Sequence, residues 1–269
     1  MAGSDALFSG AVSEVYDRLM VPMIFEPYAR DLVRRIDAHA SYDILELAAG
    51  TGALTRALAA SLPDHARIVA TDLNQPMIDL AAARQADDRR ISWRRADALA
   101  LPFEEERFDI VLCQFGAMFF PDKIQAYKEA RRVLKPAGRY LFNVWDRIAE
   151  NELADVVTQA LTQLFPHDPP LFMARTPHGY HDLARIDAEL TAAGFKEILI
   201  DSVECRSVAA CARDAAVAYC QGTLLRDEIA ARHGSLNDAT DSAAAALSDR
   251  FGTGQISARM RAFVVTAIR

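Results

Sequence analysis

Cysteine is scarce in this chain, and its spacing fits neither a metal site nor a redox pair. Cys113, Cys205, Cys211 and Cys220 include no C-x-x-C pair, and none has a histidine at metal-ligand spacing. We therefore expect no metal site. Free thiols are the usual state in a reducing compartment, so we expect the protein in the cytoplasm.

Long apolar runs and an excess of basic residues are also absent. No run approaches the roughly 18 apolar residues of a membrane span, and the first five residues lack the basic and apolar regions of a signal peptide. The chain has 30 Lys and Arg against 37 Asp and Glu, a formal net charge of −7. A nucleic-acid binder usually presents a basic face, so we expect no membrane span and no nucleic-acid partner.

Strand-like and helix-like segments alternate along most of the chain. The 269 residues, 51% of them hydrophobic, suffice for one large domain or for one domain with a cap. Strands are predicted at 42–47, 66–71, 91–94, 108–113, 139–145, 195–203 and 260–268. Their alternation with helices predicts an α/β fold with a doubly wound, mostly parallel, seven-stranded sheet.

Two helical additions are predicted outside this sheet. Residues 11–38 have helical spacing interrupted at Pro22 and Pro27, which predicts two or three short helices. About fifty mostly helix-forming residues separate the last two strands, whereas a tight hairpin needs only two to five. We therefore predict an N-terminal helical lid (1–40), an α/β core (41–206) with a loop or cap (165–182), a helical cap insertion (207–257) and a final core strand (258–269).

The stretch from Tyr42 to Gly52 is the most informative about function. An apolar run includes the acidic Glu46, a turn of small residues follows, and Leu54 begins a segment with helical spacing. Gly50 and Gly52 have no Cβ, so the turn can reach positive φ and a ligand can approach the backbone. This order of strand, turn and helix predicts a site for an adenosine-containing cofactor.

The turn alone leaves the identity of this cofactor open. Residues 50–55 end in Thr55, whereas the dinucleotide fingerprint G-x-G-x-x-G requires Gly or Ala at that position. The spacing is about equally compatible with a nicotinamide or flavin dinucleotide and with S-adenosylmethionine. A turn that merely packs a helix on a sheet is the structural alternative.

Further segments between residues 42 and 145 narrow the choice. They are Ile44–Gly52, Asp72 at the end of the second strand, Arg95–Phe103, Phe108–Val111 with Gln114-Phe115, and Arg132–Gly138. Together they resemble the class I S-adenosylmethionine-dependent methyltransferases, and within these the small-molecule group of ubiquinone and menaquinone biosynthesis. The chain departs from the family pattern at Ala48 and Ala137, where the family often has Gly.

The resemblance implies S-adenosylmethionine as cofactor, with S-adenosylhomocysteine as its product. It implies that Asp72 accepts hydrogen bonds from the ribose hydroxyls, that Asp97 accepts one from the adenine amino group, and that Glu46 orients the methionine ammonium. The full predicted cofactor set is Tyr16, Glu46, Ala48, Gly50, Thr51, Gly52, Asp72, Leu73, Met77, Asp97, Ala98 and Gln114.

Structural roles compete with binding roles at several of these positions. Asp72 is also compatible with an exposed turn, and Asp97 with a cap or turn. Met77 is compatible with a place in the core. Tyr16 is equally compatible with a core aromatic on an amphipathic helix.

A loop rich in proline, histidine and aromatic residues follows the fifth strand and supplies candidates for the acceptor side. His178 and His181 are candidate general bases, which are needed only if the acceptor carries a proton of high pKa. The predicted acceptor pocket consists of Phe25, Phe115, Met118, Phe119, Trp145, Phe172 and Tyr180. So many aromatic residues favour a lipophilic or aromatic small molecule over a protein tail.

We therefore predict a methyltransferase that moves a methyl group from S-adenosylmethionine to such an acceptor by in-line displacement. Its oligomeric state stays open, a homodimer included. Three alternatives also stay open: a protein that binds the cofactor or uses the same scaffold without methyl transfer, a dinucleotide oxidoreductase, and a nucleic-acid methyltransferase. The last often has Asn/Asp-Pro-Pro-Tyr/Phe where this chain has residues 113–116, Cys-Gln-Phe-Gly.

Overall fold

A seven-stranded sheet forms the centre of the protein, with strand order β3-β2-β1-β4-β5-β7-β6. The computed structural model describes residues 10–37 and 42–269, so parts of the predicted lid (1–9 and 38–40) lie outside the described residues. The strands are β1 Asp43–Leu47, β2 Arg67–Asp72, β3 Ile91–Arg95, β4 Phe108–Gln114, β5 Leu134–Trp145, β6 Glu197–Ala209 and β7 Ile256–Ile268.

Strands β1 to β5 are parallel, and β7 runs antiparallel to both β5 and β6. This arrangement confirms the predicted fold class. The strand order reverses between β1 and β4, which are hydrogen-bonded neighbours. In open α/β sheets, ligands bind in the crevice at the carboxyl ends of the strands on either side of such a reversal. The fold therefore places the candidate site beyond Leu47, Asp72 and Gln114.

Helices cover both faces of the sheet. They are α1 Gly10–Val15, α2 Glu26–Arg34, α3 Ala53–Ser61, α4 Gln75–Arg84, α5 Lys123–Val133, α6 Glu152–Leu164, α7 Phe172–Arg175, α8 Leu183–Ala192, α9 Ala212–Gln221, α10 Leu225–Ala231 and α11 Leu236–Phe251. The consecutive residues Ile44 and Leu45 belong to two different hydrophobic clusters, because successive strand side chains point to opposite faces. Leu54 and Leu58 of α3 pack in the cluster of Ile44. Both faces of β1 are thus buried, as the apolar sequence predicts.

The N-terminal segment differs from its prediction. Helix α1, a π-helical segment Tyr16–Phe25 and α2 follow one another directly, so the two prolines do not interrupt the helical run. Pro22 lies inside the π-helical segment, and Pro27 lies in the first turn of α2, where a backbone N–H has no helical partner to lose. π-Helical turns are frequent at functional sites.

Strands β6 and β7 are longer than predicted, and so is β5, which begins at Leu134. The pairing of β6 with β7 continues as far as Ala209 opposite Ile256. The outward side chains of Glu204 and Arg206 interrupt the apolar pattern of β6, which concealed this extension. In the structure, the helical insertion between the two strands spans residues 210–255 and contains α9, α10 and α11.

The N-terminal segment packs against both the insertion and the sheet. A Cβ on Gly222, directly after α9, would lie 3.2 Å from Cγ1 of Val15. The Tyr28 hydroxyl lies 3.1 Å from the carbonyl oxygen of Val203 and 3.2 Å from that of Met260, which ties α2 to β6 and β7. The N-terminal segment and the insertion therefore contact each other beside the sheet.

Within the described ranges, none of the helices combines the length and the apolar character that crossing a membrane requires.

Candidate cofactor and acceptor site

The loop between β1 and α3 presents open backbone at the carboxyl edge of the sheet. Its residues Ala48, Gly50 and Gly52 have φ angles of 52°, 56° and 81°. The Ala49 N–H donates to the carbonyl oxygen of Thr71 at 2.9 Å, which fixes the loop to β2. A Cβ built on Gly50 would meet no atom within 4 Å. A ligand can therefore lie directly against this backbone.

Asp72 lies beside this loop at the end of β2. Its Oδ2 accepts from the Gly50 N–H at 2.8 Å, and its Oδ1 accepts from the Asn74 N–H at 2.8 Å. Burial raises the pKa of Asp72, and these backbone hydrogen bonds oppose the rise. Each carboxylate oxygen accepts more than one hydrogen bond, so Asp72 retains the capacity to bind a diol.

Glu46 lies beneath the loop in β1 and is 1% exposed. The Thr55 hydroxyl donates to Oε2 of Glu46 at 2.6 Å. Burial raises the pKa of Glu46 to about 8, although the Thr55 hydrogen bond and the charge of Arg56 oppose the rise. In this structure Glu46 therefore favours the protonated form at neutral pH. A cation beside it would favour the ionised form.

Thr51 is a further polar group in the same loop. Its Oγ1 is buried and has no hydrogen-bond partner among the described residues. An unsatisfied buried hydroxyl costs about 1–3 kcal/mol, which a ligand with a polar group here would relieve. Two buried carboxyl groups, this hydroxyl and the open backbone at Gly50 fit a cofactor that carries both an ammonium group and a ribose diol.

The residues predicted to contact adenine lie along the edge formed by β2 and β3. Leu73 is 41% exposed, whereas Met77 is buried in α4. Asp97 is exposed, and its Oδ1 accepts from the Leu99 N–H at 2.9 Å. Ala98 is half-buried beside it. The contacts of these side chains with adenine stay predictions.

The π-helical segment extends over the carboxyl ends of β1 and β4. Burial raises the pKa of Tyr16, and the nearby negative charge of Asp72 raises it further. The Gln114 side-chain amide donates to the carbonyl oxygen of Phe25 at 2.7 Å. Sequence reasoning assigned Gln114 to the methionine end of the cofactor. In the structure, its amide nitrogen instead holds the end of the π-helical segment.

Asp17 holds this segment in place and was missed by sequence reasoning. It is 4% exposed. Its Oδ1 lies 3.4 Å from a guanidinium nitrogen of Arg56 in α3, and it also pairs with Arg84 in α4. Arg56 donates to the carbonyl oxygen of Thr51 at 2.6 Å. The N-terminal segment is thus anchored to the two helices that follow β1 and β2.

Four rings form an aromatic wall between the glycine loop and the end of β5: Phe25, Tyr28, Phe115 and Trp145. Phe115 and Trp145 stack with centroids 3.8 Å apart and planes 7° apart. Phe25 lies 5.6 Å from Phe115 and 6.1 Å from Trp145, and Tyr28 meets both stacked rings edge-on. Met118 is buried in the same hydrophobic cluster. The ring contacts therefore bring together three of the predicted pocket residues, Phe25, Phe115 and Trp145.

His178 lies behind this wall, with its ring centroid 5.8 Å from that of Trp145. It is 4% exposed, and its Nδ1 lies 2.8 Å from the carbonyl oxygen of Asp146. Burial lowers the pKa of His178 to about 4. At neutral pH the ring is therefore uncharged, with the proton on Nδ1 and a lone pair on Nε2. His181 is less buried, and its Nδ1 lies 2.7 Å from the carbonyl oxygen of His178.

The other predicted pocket residues, Phe119, Phe172 and Tyr180, have further contacts of their own. Phe119 and Phe172 contact each other with centroids 6.5 Å apart. The Tyr180 hydroxyl lies 3.0 Å from that of Tyr127 in α5 and 2.5 Å from a carboxylate oxygen of Glu189 in α8. These hydrogen bonds join two helices, so the structure gives the Tyr180 hydroxyl a packing role.

Comparison with known proteins agrees with this geometry. Residues 44–138 match a family described as a methyltransferase domain. The matched segment contains β1 to β4, the glycine loop and Asp72.

The chain contains a methyltransferase domain of the class I S-adenosylmethionine-dependent type.

Similar proteins include two curated methyltransferases. A demethylmenaquinone methyltransferase of Lactobacillus johnsonii is 29% identical over 185 residues, which cover 64% of this chain and 75% of that protein. Another, of Clavibacter sepedonicus, is 43% identical over 96 residues, which cover 36% of this chain and 38% of that protein. This methyltransferase spans about half the length of several other curated relatives.

A solved structure shares the fold at low sequence identity. It is phosphoethanolamine N-methyltransferase 2 of Haemonchus contortus, in complex with phosphomonomethylethanolamine and S-adenosylhomocysteine. The TM-score is 0.63 at 15% identity, over 97% of this chain and 58% of the other.

We expect the affinity of this methyltransferase for S-adenosylhomocysteine to increase with pH and to level off near pH 8. The ligand's ammonium favours ionised Glu46, whereas burial keeps this carboxyl protonated below a pKa of about 8. Below that pH, the increase in affinity should approach about tenfold per pH unit. Calorimetric titrations between pH 6 and 8.5 measure the slope. Glu46→Gln should abolish the slope, and a flat profile for the unmodified protein would contradict the role given to Glu46.

Proposed function

We propose that this methyltransferase transfers the methyl group of S-adenosylmethionine to a small, lipophilic, aromatic acceptor. The observation that carries the proposal is the position of Phe115, which directly follows Gln114 at the end of β4. On one side of this strand end lie the glycine loop and the carboxyl groups of Glu46 and Asp72. On the other side lies the aromatic wall. A flat apolar ring at the wall would therefore lie next to the cofactor.

The relatives support an acceptor of quinol type. Two of them are demethylmenaquinone methyltransferases by name, and an aromatic wall offers stacking to such a ring. Two stacked rings, Phe115 and Trp145, already adopt this geometry with each other. The four residues of the wall are all uncharged aromatics, so the wall offers no counter-charge to a basic peptide tail.

The chain's own residues supply alignment and exclusion of water. S-adenosylmethionine supplies a methyl group already activated by its sulfonium. Asp72 and Glu46 hold the two polar ends of the cofactor, while the π-helical segment shields the reacting atoms from solvent. Alignment of two reactants contributes on the order of 7–11 kcal/mol relative to their encounter in solution.

His178 is the histidine that the geometry favours for contact with the acceptor. Its Nε2 has no hydrogen-bond partner among the described residues, and the ring is uncharged because burial lowers its pKa to about 4. It is therefore a hydrogen-bond acceptor throughout the neutral range and a weak base. His181 contacts the carbonyl oxygen of His178 through its Nδ1 and serves to orient the loop.

Methyl transfer to defined acceptors tests the proposal. Cofactor with a radiolabelled methyl group would be incubated with 1,4-naphthalenediol, phosphoethanolamine or a lysine-rich peptide. We expect label in the extracted diol and none in the other two. Reactions without the protein supply the background. Label in phosphoethanolamine or the peptide alone would contradict an aromatic acceptor.

The cytoplasm remains our proposal for the location of the protein. All four cysteines are free thiols in the structure, and two of them, Cys113 and Cys220, are buried. This supports the expectation drawn from their spacing.

A further inference from the structure

Phe115 has a backbone conformation that few residues of its size adopt. Its φ angle of 51° lies in the left-handed region, which is unfavourable for a bulky side chain. Phe115 is also buried, with 5% of its surface exposed. Such strain persists only where the surrounding contacts fix the conformation, and it is common at functional sites. A contact that fixes Phe115 therefore shapes the site to which this residue belongs.

The left-handed conformation places Phe115 between the glycine loop and the aromatic wall. A Cβ on the following residue, Gly116, would lie only 2.4 Å from the Cβ of Ala48 in the loop. The ring of Phe115 stacks on that of Trp145 with centroids 3.8 Å apart. The backbone after Phe115 thus packs against the glycine loop, while its ring belongs to the wall. The conformation of Phe115 therefore sets how the wall and the loop lie relative to each other.

Asn143 of β5 holds Phe115 in this conformation. Asn143 is fully buried, and its Oδ1 accepts from the Phe115 N–H at 2.9 Å. The pairing of β4 with β5 ends at Gln114, which lies opposite Asn143. A side chain therefore satisfies the Phe115 N–H at the point where the neighbouring strand no longer does so.

The amide of Asn143 carries a cost that packing alone does not explain. Its Nδ2 is buried and has no hydrogen-bond partner among the described residues, whereas buried polar groups are nearly always paired. An apolar side chain would remove this unpaired donor, but it would leave the Phe115 N–H without an acceptor. The benefit of an asparagine here therefore lies in its oxygen, which contacts Phe115.

We infer that Asn143 is a positioning residue for the acceptor side of methyl transfer, because its amide oxygen holds Phe115 in the conformation that builds the aromatic wall beside the glycine loop. This inference rests on the proposed function. Asn143 acts through the ring of Phe115. The glycine loop has separate support from β2, through the N–H groups of Ala49 and Gly50. Asn143 therefore affects the acceptor more than the cofactor.

Methyl-transfer kinetics with S-adenosylmethionine and 1,4-naphthalenediol test this inference. Asn143→Leu removes the acceptor of the Phe115 N–H. We expect its KM for the diol to rise about two- to tenfold, the range of one aromatic contact, with little change in the dissociation constant of S-adenosylhomocysteine. Asn143→Asp keeps an acceptor oxygen and should restore most of the lost KM. Asn143→Ala cannot overfill the core, should behave like Asn143→Leu, and replaces it if that variant does not fold.

A double mutant shows whether Asn143 acts through Phe115. Phe115→Leu removes the ring and should also raise the KM for the diol. Residues that act through one contact are non-additive, so Asn143→Leu should add little to the effect of Phe115→Leu. Asn151→Leu is the matched control. It removes another buried asparagine whose Oδ1 accepts a backbone N–H, that of Arg261 at 3.1 Å, and it should leave the KM unchanged.

Near-ultraviolet circular dichroism gives a readout that does not depend on turnover. The change caused by Phe115→Leu identifies the signal of the stacked pair, which Asn143→Leu should also lose and Asn143→Asp should keep. An unchanged spectrum or an unchanged KM in the folded Asn143 variants, or effects of Asn143→Leu and Phe115→Leu that add fully, would each overturn the inference. If the unmodified protein does not methylate the diol, the proposed function fails, and the spectra still decide whether Asn143 holds the wall.

Discussion

Replacing Asp72 with alanine should weaken the binding of S-adenosylmethionine and S-adenosylhomocysteine at least about tenfold while the protein remains folded. Hydrogen bonds to a charged group contribute about 1.5–3 kcal/mol each, and the ribose diol offers two. The change also removes the acceptors of the Gly50 and Asn74 N–H groups, so the glycine loop loses part of its support. Calorimetry gives the dissociation constants, and circular dichroism confirms the fold.

Two further variants make this result specific. Asp72→Asn keeps the shape and one acceptor oxygen, so its loss of affinity should be smaller than that of Asp72→Ala. Asp79→Ala removes an exposed carboxylate from the neighbouring helix α4 and should bind both ligands normally. An unchanged dissociation constant in a folded Asp72→Ala protein would remove this residue from the cofactor site.

Replacing Asp17 with alanine should release the lid and weaken the binding of S-adenosylhomocysteine by about tenfold or more. The Asp17 carboxylate is buried and pairs with Arg56 and Arg84, which are partly exposed. Its loss should reduce the stability of the closed lid by about 1.5–3 kcal/mol, the contribution of hydrogen bonds to charged groups. Hydrogen exchange should become faster in residues 10–25 and change little in β1 and β4.

Glu14→Ala is the matched control for the lid. Glu14 lies in α1 of the same helical run, and its side chain is exposed. Its removal should leave hydrogen exchange and ligand affinity unchanged. In the unmodified protein, S-adenosylhomocysteine should slow exchange in residues 10–25. If the ligand gives no protection there, or if Asp17→Ala binds it normally, the segment is not a lid.

The sheet was predictable because its signal is local. Both faces of β1 and β4 are buried, so their sequences are continuous apolar runs that need no knowledge of distant neighbours. The turn after β1 was predictable for the same reason, since Gly50 and Gly52 adopt the positive φ angles that glycine permits. The order of strands and helices then determined the fold class.

The ends of β6 and the course of the lid could not be predicted, because distant contacts determine them. β6 is an edge strand, and its exposed side chains interrupt the apolar pattern although its pairing with β7 continues to Ala209. Proline was expected to interrupt the N-terminal helices. Pro22 is instead accommodated in a π-helical segment that packs on the sheet and on α9.

The candidate site was predictable on the cofactor side and only partly on the acceptor side. Glu46 and Asp72 belong to the segments that resemble the family. Asp17 lies outside these segments, and only the packing of the N-terminal segment brings it against Arg56 and Arg84. Tyr180 shows the opposite case. It is aromatic and close in sequence to His178, and so was predicted for the pocket, but its hydroxyl joins two helices.

Parallel calorimetric titrations with S-adenosylhomocysteine and with NAD, at pH 8, test the central claim most directly. Open backbone at Gly50 flanked by the buried carboxyl groups of Glu46 and Asp72 predicts saturable binding of S-adenosylhomocysteine at one site per chain, and no heat with NAD. Saturable binding of NAD together with no response to S-adenosylhomocysteine would contradict the assignment of this chain as an S-adenosylmethionine-dependent methyltransferase.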